Sequence, residues 1–272
     1  MSRPIRLIAS DLDGTFLAPD HCLHPRCVAA VRLAVRQGAH VVFATGRPAR
    51  WTGVLEPLLD ISYTLIASNG AVVLDPHEGR VLDFHAIRAE QALAFGQDLA
   101  RLVPDVCFAL EYAHEGWGAD EQFAGFETAE SPDHVAQLAE LVHVDPVVKL
   151  IALSPSTPTE ALARACGRVA GGRVHPTFSF ARAAGFVECS APGVSKASAL
   201  RTVLHDQQVP AAEAMAFGDM PNDLEMLALV GHPYVMANSH PSVMESGYPL
   251  AGSNADGGVG SVIARELALG QP

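Results

Sequence analysis

The sequence predicts an α/β fold in which a doubly wound, mostly parallel sheet carries an inserted α+β domain. Short apolar strands alternate with amphipathic helices near the start of the chain, which is typical of parallel strands joined by right-handed crossovers. This pattern changes after Asn69-Gly70 and returns after about Glu188. We therefore expect a discontinuous core, residues 1–84 and 188–272, around a second domain at residues 85–187.

The elements of the core are predicted from apolar runs and helix-breaking residues. Apolar runs predict buried strands at 5–10, 40–44 and 63–67. Pro25 predicts the start of a helix that Gly38 ends, and a second helix is expected at 48–59. After the inserted domain, helices are expected at 188–204, 221–229 and 258–269, and strands at 214–217 and 233–236. These strands together predict one sheet.

The inserted domain has its own set of apolar elements. A turn-rich segment at 75–79 predicts a hairpin of the runs 71–74 and 80–84. Beyond it, the sequence predicts helices at 90–102, 133–141 and 159–169, and strands at 106–112, 147–153 and 173–180. This number of elements is sufficient to close a separate hydrophobic core.

Composition restricts the class of protein. The chain of 272 residues carries 18 Lys and Arg against 30 Asp and Glu, a net charge of −12. Because phosphate backbones and anionic membranes attract clustered Lys and Arg, we expect neither a nucleic-acid nor a membrane partner. No apolar run approaches the ~18 residues that cross a bilayer, and the first residues lack the apolar segment of a signal peptide. With an odd count of five cysteines, the sequence predicts a cytoplasmic protein.

The first strand leads into Asp11-Leu12-Asp13-Gly14-Thr15. Ligands of open parallel sheets bind at the carboxyl ends of the strands, where this segment lies. Two carboxylates separated by one residue of extended chain project to the same side. Asp and Gly also dominate ordinary turns, so the segment alone is equally consistent with a polar turn.

Two other strand ends carry polar residues. Thr45-Gly46-Arg47 follows the second strand, and its hydroxyl and backbone N–H groups would suit phosphate oxygens, although the segment taken alone is better explained as an ordinary strand-to-helix turn. The segment 218–223 follows a later strand and adds Asp219 and Asp223. Carboxylates that converge at one sheet edge repel each other unless a cation lies among them, and an all-oxygen set favours Mg²⁺.

Lys196 lies at the start of a predicted helix, where a cation opposes the helix macrodipole. Viewed alone, this position is consistent with a solvated surface lysine. A lysine that neutralises a phosphate group beside the aspartates explains the position better.

These four segments occur in the order of the four motifs of the haloacid dehalogenase-like (HAD) superfamily, which the chain resembles over nearly its whole length. The insertion between the second and third motifs, preceded by Ser68-Asn69-Gly70-Ala71, resembles that of the Cof-type phosphatases. The resemblance implies a Rossmann-like doubly wound core and a cap domain of the C2B type at residues 85–187.

The resemblance also implies a role for each matching residue. Asp11 would be the nucleophile that forms an aspartyl-phosphate, and Asp13 the general acid and base. Mg²⁺ would be held by the Asp11 carboxylate, the Asp13 backbone carbonyl and Asp219, with Asp223 in or next to this set of ligands. The residues implied to hold the phosphoryl group are Leu12, Thr45, Gly46, Arg47, Lys196 and Asn222.

The implied activity is that of an Mg²⁺-dependent phosphatase acting on small cytosolic phosphate monoesters, such as sugar phosphates. A sugar phosphomutase on the same scaffold and a non-enzymatic metal- or phosphate-binding regulator remain alternatives. The expected partner is a small phosphorylated metabolite, and the chain is expected to be a monomer or a weak homodimer.

Two segments near the end of the sequence depart from the family pattern or fit it loosely. Met236-Ala237-Asn238 stands where the family often has Met-Gly-Asn. Asn254 and Asp256 resemble the family's C-terminal polar loop, which closes near the site, although a plain surface turn explains them equally well.

Overall fold

The computed structural model describes residues 4–114, 116–126, 130–178 and 183–269. Two compact units are formed, one by Met1–Asp83 with Lys196–Pro272 and the other by Phe84–Ser195. The strands are, in chain order, β1 (Leu7–Ser10), β2 (His40–Ala44), β3 (Tyr63–Ala67), β4 (Val72–Asp75), β5 (Arg80–Phe84), β6 (Cys107–Tyr112), β7 (Trp117–Ala119), β8 (His134–Val135), β9 (Val147–Ser154), β10 (His175–Thr177), β11 (Gly185–Ser190), β12 (Ala214–Gly218) and β13 (His232–Val235). The α-helices are α1 (Pro25–Arg36), α2 (Ala89–Leu102), α3 (Glu121–Ala124), α4 (Leu138–Leu141), α5 (Thr159–Ala170), α6 (Lys196–Asp206), α7 (Leu224–Leu229), α8 (Pro241–Met244) and α9 (Gly258–Leu269).

The first unit is built on a sheet with the strand order β13-β12-β1-β2-β3-β4-β5. Strands β13, β12, β1, β2 and β3 are parallel, and β4 runs antiparallel to β3. Ser10 pairs with Phe217 on one side and with Phe43 on the other, so β1, β2 and β12 end at the same edge of the sheet. The predicted Rossmann-like core is confirmed.

The core strands are apolar along their length because helices cover both faces of a parallel sheet. All four residues of β1 are buried, and Leu7 belongs to a cluster that includes Leu200 of α6 and Leu227 of α7. Phe16 and Phe43 pack edge to face, with ring centroids 4.8 Å apart. No helix within the described ranges is long and apolar enough to cross a membrane.

The second unit has a separate sheet with the strand order β10-β11-β9-β6-β7-β8. Its pairings are antiparallel except for that of β7 with β8. Helices α2 and α5 each bury one apolar face, which includes Phe95 and Leu99 on α2 and Leu162 on α5. The predicted inserted α+β domain is thereby confirmed as a fold.

The structure divides the units after Ser195, whereas the sequence predicts a boundary at residue 187. The reason is strand β11, which the sequence pattern assigns to the start of a core helix. Glu188 and Cys189 on this strand pair with Ile151 and Leu150 on β9, so the strand belongs to the second sheet.

Two predicted helices and one predicted strand also differ from the structure. Residues 48–59 form two short 3₁₀ segments, Ala49–Trp51 and Gly53–Leu58, and Pro57 in the second lacks the N–H group that an α-helix would use there. In the predicted helix 133–141, the first residues pair with β7 as strand β8, which leaves only α4 helical. The strand predicted at 173–180 is limited to β10, and positions 179 and 180 lie outside the described residues.

Helices α1 and α9 of the first unit pack at close range around Gly260. This glycine is buried, and a Cβ atom on it would lie 2.5 Å from the carbonyl oxygen of Arg26. Gly167 on α5 offers a contrast, because it is exposed and a Cβ atom there would meet no atom within 4 Å. The two glycines therefore have opposite packing constraints.

We expect Gly260→Ala to lower the free energy of unfolding by about 1–3 kcal/mol, because the backbone of α1 must move away from the added methyl group. Gly167→Ala is the matched control and should raise it by about 0.5–1 kcal/mol, since alanine favours the helix. Urea denaturation followed by circular dichroism measures both. Equal effects of the two substitutions would contradict this account of the α1–α9 contact.

Candidate active site

The polar segments that follow β1, β2 and β12 meet at one edge of the sheet of the first unit. The backbone N–H of Asp11 donates to the carbonyl of Phe217 at 3.0 Å, and that of Thr45 donates to Ile66 at 2.8 Å. Sheet hydrogen bonds thus continue into the first residue of the segments that follow β1 and β2. The position of Asp11 and Thr45 is consequently fixed by the strands rather than by flexible loops.

The turn after β1 is shaped to receive Asp219. Gly14 has a φ angle of +78°, and a Cβ atom at this position would overlap the Asp219 carboxylate. The hydroxyl of Thr15 donates to Asp219 Oδ1 at 2.8 Å. Position 14 requires a left-handed backbone conformation and close approach of the backbone to the Asp219 carboxylate. Only glycine meets both requirements.

A buried lysine joins two aspartates of this site. Lys196, 1% exposed at the start of α6, lies with its Nζ 2.5 Å from Asp11 Oδ1 and 2.7 Å from Asp223 Oδ1. Carboxylate oxygens of Asp11, Asp219 and Asp223 all lie within 4.8 Å of one another. One ammonium group therefore faces three carboxylates in a buried environment.

The crowding of carboxylates changes their acidity. Burial raises the pKa of Asp11 well above its ordinary value, and the charges of Asp223 and Asp219 add to this, while Lys196 opposes it. Burial, followed by the charge of Asp223, raises the pKa of Asp219 to about 7. The site as built from side chains alone is thus short of positive charge.

The chemistry of these residues fits a hard divalent cation. Within the described part of the chain, the buried Oδ2 of Asp11 has no hydrogen-bond partner. The neighbouring ligand atoms are carboxylate oxygens, which Mg²⁺ prefers. Asp223 differs from the other two, because Lys196 binds its Oδ1 and the backbone N–H groups of Asp219 and Met220 both donate to its Oδ2 at 3.0 Å.

Asp13 is not part of this cluster and pairs with Arg47. Arg47 Nε lies 2.7 Å from Asp13 Oδ2 and Nη2 lies 2.5 Å from Oδ1, a bidentate pair, and His21 Nδ1 lies 3.3 Å from the same Oδ1. Burial would raise the pKa of Asp13, but hydrogen bonds and charge from Arg47 and His21 outweigh it and lower the pKa. The two aspartates of the first motif thus have opposite electrostatic environments.

The other residues implied to hold a phosphoryl group lie around the same edge in different settings. The buried Thr45 accepts the N–H of Arg47 on its hydroxyl at 3.0 Å, and Gly46 between them is half-buried. The side-chain amide of Asn222 donates to Asn69 Oδ1 at 2.9 Å. Leu12 has a fully buried side chain, so only its backbone could take part in binding.

Sequence reasoning did not assign a role to several residues that support the site. Thr15 and Asn69 stand inside segments that the resemblance had already marked, so their positions carried a signal. The exposed Asn238 donates from Nδ2 to the carbonyl oxygen of Gly14 at 2.7 Å. Asn238 stands in the segment 236–238 that the resemblance had also marked, but its separation of 224 residues from Gly14 left this contact without a local signal in the sequence.

Comparison with known proteins agrees with this geometry. A family model described as haloacid dehalogenase-like hydrolase matches residues 8–263. An HMP-PP phosphatase of Serratia proteamaculans is 32% identical over 248 residues, which cover 88% of this chain and 86% of that protein.

Solved structures share the fold of the whole chain. The crystal structure of SMU.1108c from Streptococcus mutans has a TM-score of 0.83 at 23% identity and covers 97% of this chain and 99% of its own. The HAD-superfamily phosphatase BT1666 from Bacteroides thetaiotaomicron has a TM-score of 0.80 at 25% identity, with coverage of 97% and 95%. The family match extends over both parts of the discontinuous core and over the insertion between them. The chain therefore belongs to the haloacid dehalogenase-like hydrolases, as a phosphatase of the Cof type.

Proposed function

We propose that this phosphatase hydrolyses small phosphate monoesters through a phosphorylated Asp11, with Mg²⁺ bound at the carboxylate cluster. The observation that carries the proposal is the state of the Asp11 carboxylate. Lys196 holds Oδ1, whereas the buried Oδ2 has no partner among the described residues. A carboxylate nucleophile divides hydrolysis into two easier steps, formation and cleavage of an acyl phosphate.

The cation would be held by the carboxylates of Asp11 and Asp219 and by the backbone carbonyl of Asp13. Bound there, Mg²⁺ would neutralise the carboxylates and the transferring phosphoryl group. We place Asp223 next to these ligands, because both of its oxygens already accept hydrogen bonds from Lys196 and from the backbone of the segment after β12.

Lys196 has two tasks in this proposal. Its ammonium group orients Asp11 and neutralises part of the charge that the phosphoryl group brings. The hydroxyl of Thr45, the backbone at Leu12 and Gly46, and the amide of Asn222 would supply neutral contacts to the phosphoryl oxygens. Such preorganised donors are the main contribution of a protein to phosphoryl transfer.

Asp13 would transfer protons in both steps, to the leaving oxygen first and from water afterwards. Arg47 binds both oxygens of Asp13, so one of these hydrogen bonds must be exchanged for the substrate oxygen during the reaction. A guanidinium group has five N–H donors. Arg47 could therefore contact a phosphoryl oxygen while it keeps part of its pairing with Asp13.

The proposed substrates are small phosphorylated metabolites of the cytoplasm. The similarity to an HMP-PP phosphatase makes HMP-PP one candidate, and sugar phosphates are the other class that we propose. Free thiols on all five cysteines agree with a reducing compartment. A monomer or a weak homodimer stays the prediction for the oligomeric state.

A screen of small phosphate esters, with HMP-PP and hexose phosphates included, should identify substrates that release inorganic phosphate. The reaction is followed by phosphate release and by chromatography of the organic product. An isomerised sugar phosphate without net phosphate release would instead indicate a phosphomutase. Absence of turnover with every divalent metal would favour a binding protein.

Chelation should abolish phosphate release, and Mg²⁺ should restore it. Asp219→Asn removes a proposed ligand and is expected to raise the Mg²⁺ concentration for half-maximal activity by at least about 10–100-fold, the usual cost of changing a residue that only supports a ligand. Asp206→Asn is the matched control, because the Asp206 side chain is 66% exposed at the end of α6. Full activity in excess chelator would contradict the metal assignment.

Substitution of Asp13 should separate the two steps of the reaction. Asn keeps the size of the side chain and the backbone carbonyl but transfers no proton, which should slow turnover by ~10²–10⁴-fold. The leaving group of p-nitrophenyl phosphate needs little protonation. With this substrate, the substitution should therefore slow the first step less than the second. Asp13→Asn should then accumulate a phosphate adduct visible by intact mass spectrometry.

Asp11→Asn is the control for this adduct, and it should show neither turnover nor added mass. Peptide mapping locates the phosphate. An adduct on Ser, Thr or His, or native turnover by Asp13→Asn, would refute the aspartyl-phosphate mechanism while the family assignment stands.

A further inference from the structure

The segment after β13 connects the two loops that carry the carboxylates. On one side, the N–H groups of Met236 and His240 donate to the carbonyls of Gly218 and Asp219, at 3.2 and 2.8 Å. On the other side, the Asn238 side chain reaches the carbonyl of Gly14. Residues 236–240, which we call the bridging segment, therefore join the turn after β1 to the loop after β12.

Asn238 is itself held in place by a second asparagine. The backbone N–H of Asn254 donates to Asn238 Oδ1 at 3.0 Å. The buried side chain of Asn254 donates to the carbonyl of Leu17 at 2.9 Å. Asn238 thus accepts a hydrogen bond on Oδ1 and donates one from Nδ2. Together, the two asparagines hold the turn after β1 through the carbonyl groups of Gly14 and Leu17.

The position of Gly14 bears directly on the carboxylate cluster. Its backbone packs against the Asp219 side chain with no space for a Cβ atom, and Thr15 donates to that carboxylate. The carbonyl of Asp13, a proposed ligand, belongs to the peptide bond next to Gly14. A shift of this turn would therefore change the separation of the ligand oxygens of Asp11, Asp13 and Asp219.

We propose that Asn238 is a positioning residue for the cation site, which fixes the turn after β1 against the Asp219 loop. This inference rests on the proposed function, because it takes the cluster to be a Mg²⁺ site. Asn238 is exposed, so its removal leaves no cavity in the core. Its two hydrogen bonds join residues 224 and 16 positions away, which indicates a role in the site rather than in local chain folding.

The test compares Asn238→Ala and Asn238→Leu with the native protein. Leu keeps the approximate size of the side chain but makes no hydrogen bonds, so the two variants should behave alike. We expect Mg²⁺ affinity, measured by isothermal titration calorimetry without substrate, to fall about tenfold, as is usual when residues behind a metal ligand are changed. The Tm of the metal-free protein should stay close to the native value.

Gln122→Ala is the matched control, because Gln122 is also exposed and donates from its side-chain amide to a backbone carbonyl, that of Asp105, at 3.2 Å. It lies in the second unit and should leave Mg²⁺ affinity unchanged. Native Mg²⁺ affinity in both Asn238 variants would overturn this inference alone. The inference would also be overturned if the Tm of the metal-free Asn238 variants fell in proportion to their Mg²⁺ affinity. Asn238 would then stabilise the fold as a whole and not the cation site in particular. Absence of Mg²⁺ binding by the native protein would overturn the proposed cation site together with this inference.

Discussion

The buried ion pairs of Lys196 are the interaction on which the rest of the site depends. Loss of one partner from a buried ion pair costs about 3–5 kcal/mol, because the remaining charge stays buried without compensation. Lys196 compensates Asp11 and Asp223 at once and is almost fully enclosed. Asp219 is left outside these pairs; burial raises its pKa, and the excess negative charge, chiefly that of Asp223, adds to this. The same imbalance that makes the site electrostatically costly makes it suited to a divalent cation.

The parallel sheet permits this arrangement because it places three chain segments side by side. Strands β1 and β12 are neighbours, so the carboxylates that follow them converge although they lie far apart in the chain. Close approach then depends on Gly14, which allows the Asp219 carboxylate to pack against the backbone of the turn. The bridging segment joins the turn after β1 to the loop after β12 through further hydrogen bonds. The rigidity of the site therefore arises from strand pairing, from one glycine and from hydrogen bonds between distant segments.

The first motif places two aspartates in opposite environments. Asp11 is enclosed among other carboxylates, whereas Asp13 is partly exposed and forms a bidentate pair with Arg47. Burial raises the pKa of the first, and hydrogen bonds with Arg47 lower the pKa of the second despite partial burial. Environments that push the pKa values of two neighbouring acids apart generally allow the acids to take different roles in a reaction. Here they agree with a nucleophile that needs a cation beside it and an acid-base group that must exchange its partner.

The sequence by itself determined the fold class, the order of the motifs and the chemical type of the site. Apolar runs and helix-breaking residues are local, and the segments with Asp11, Asp219 and Lys196 can be read without knowing what they contact. Only the tertiary structure decided that Arg47 binds Asp13, that β11 belongs to the second sheet and that His134–Val135 forms strand β8 and not the start of a helix. It also decided that Asn238 lies on Gly14. These features depend on strand pairing and side-chain contacts between residues distant in the chain, and a periodic pattern contains no information about such partners.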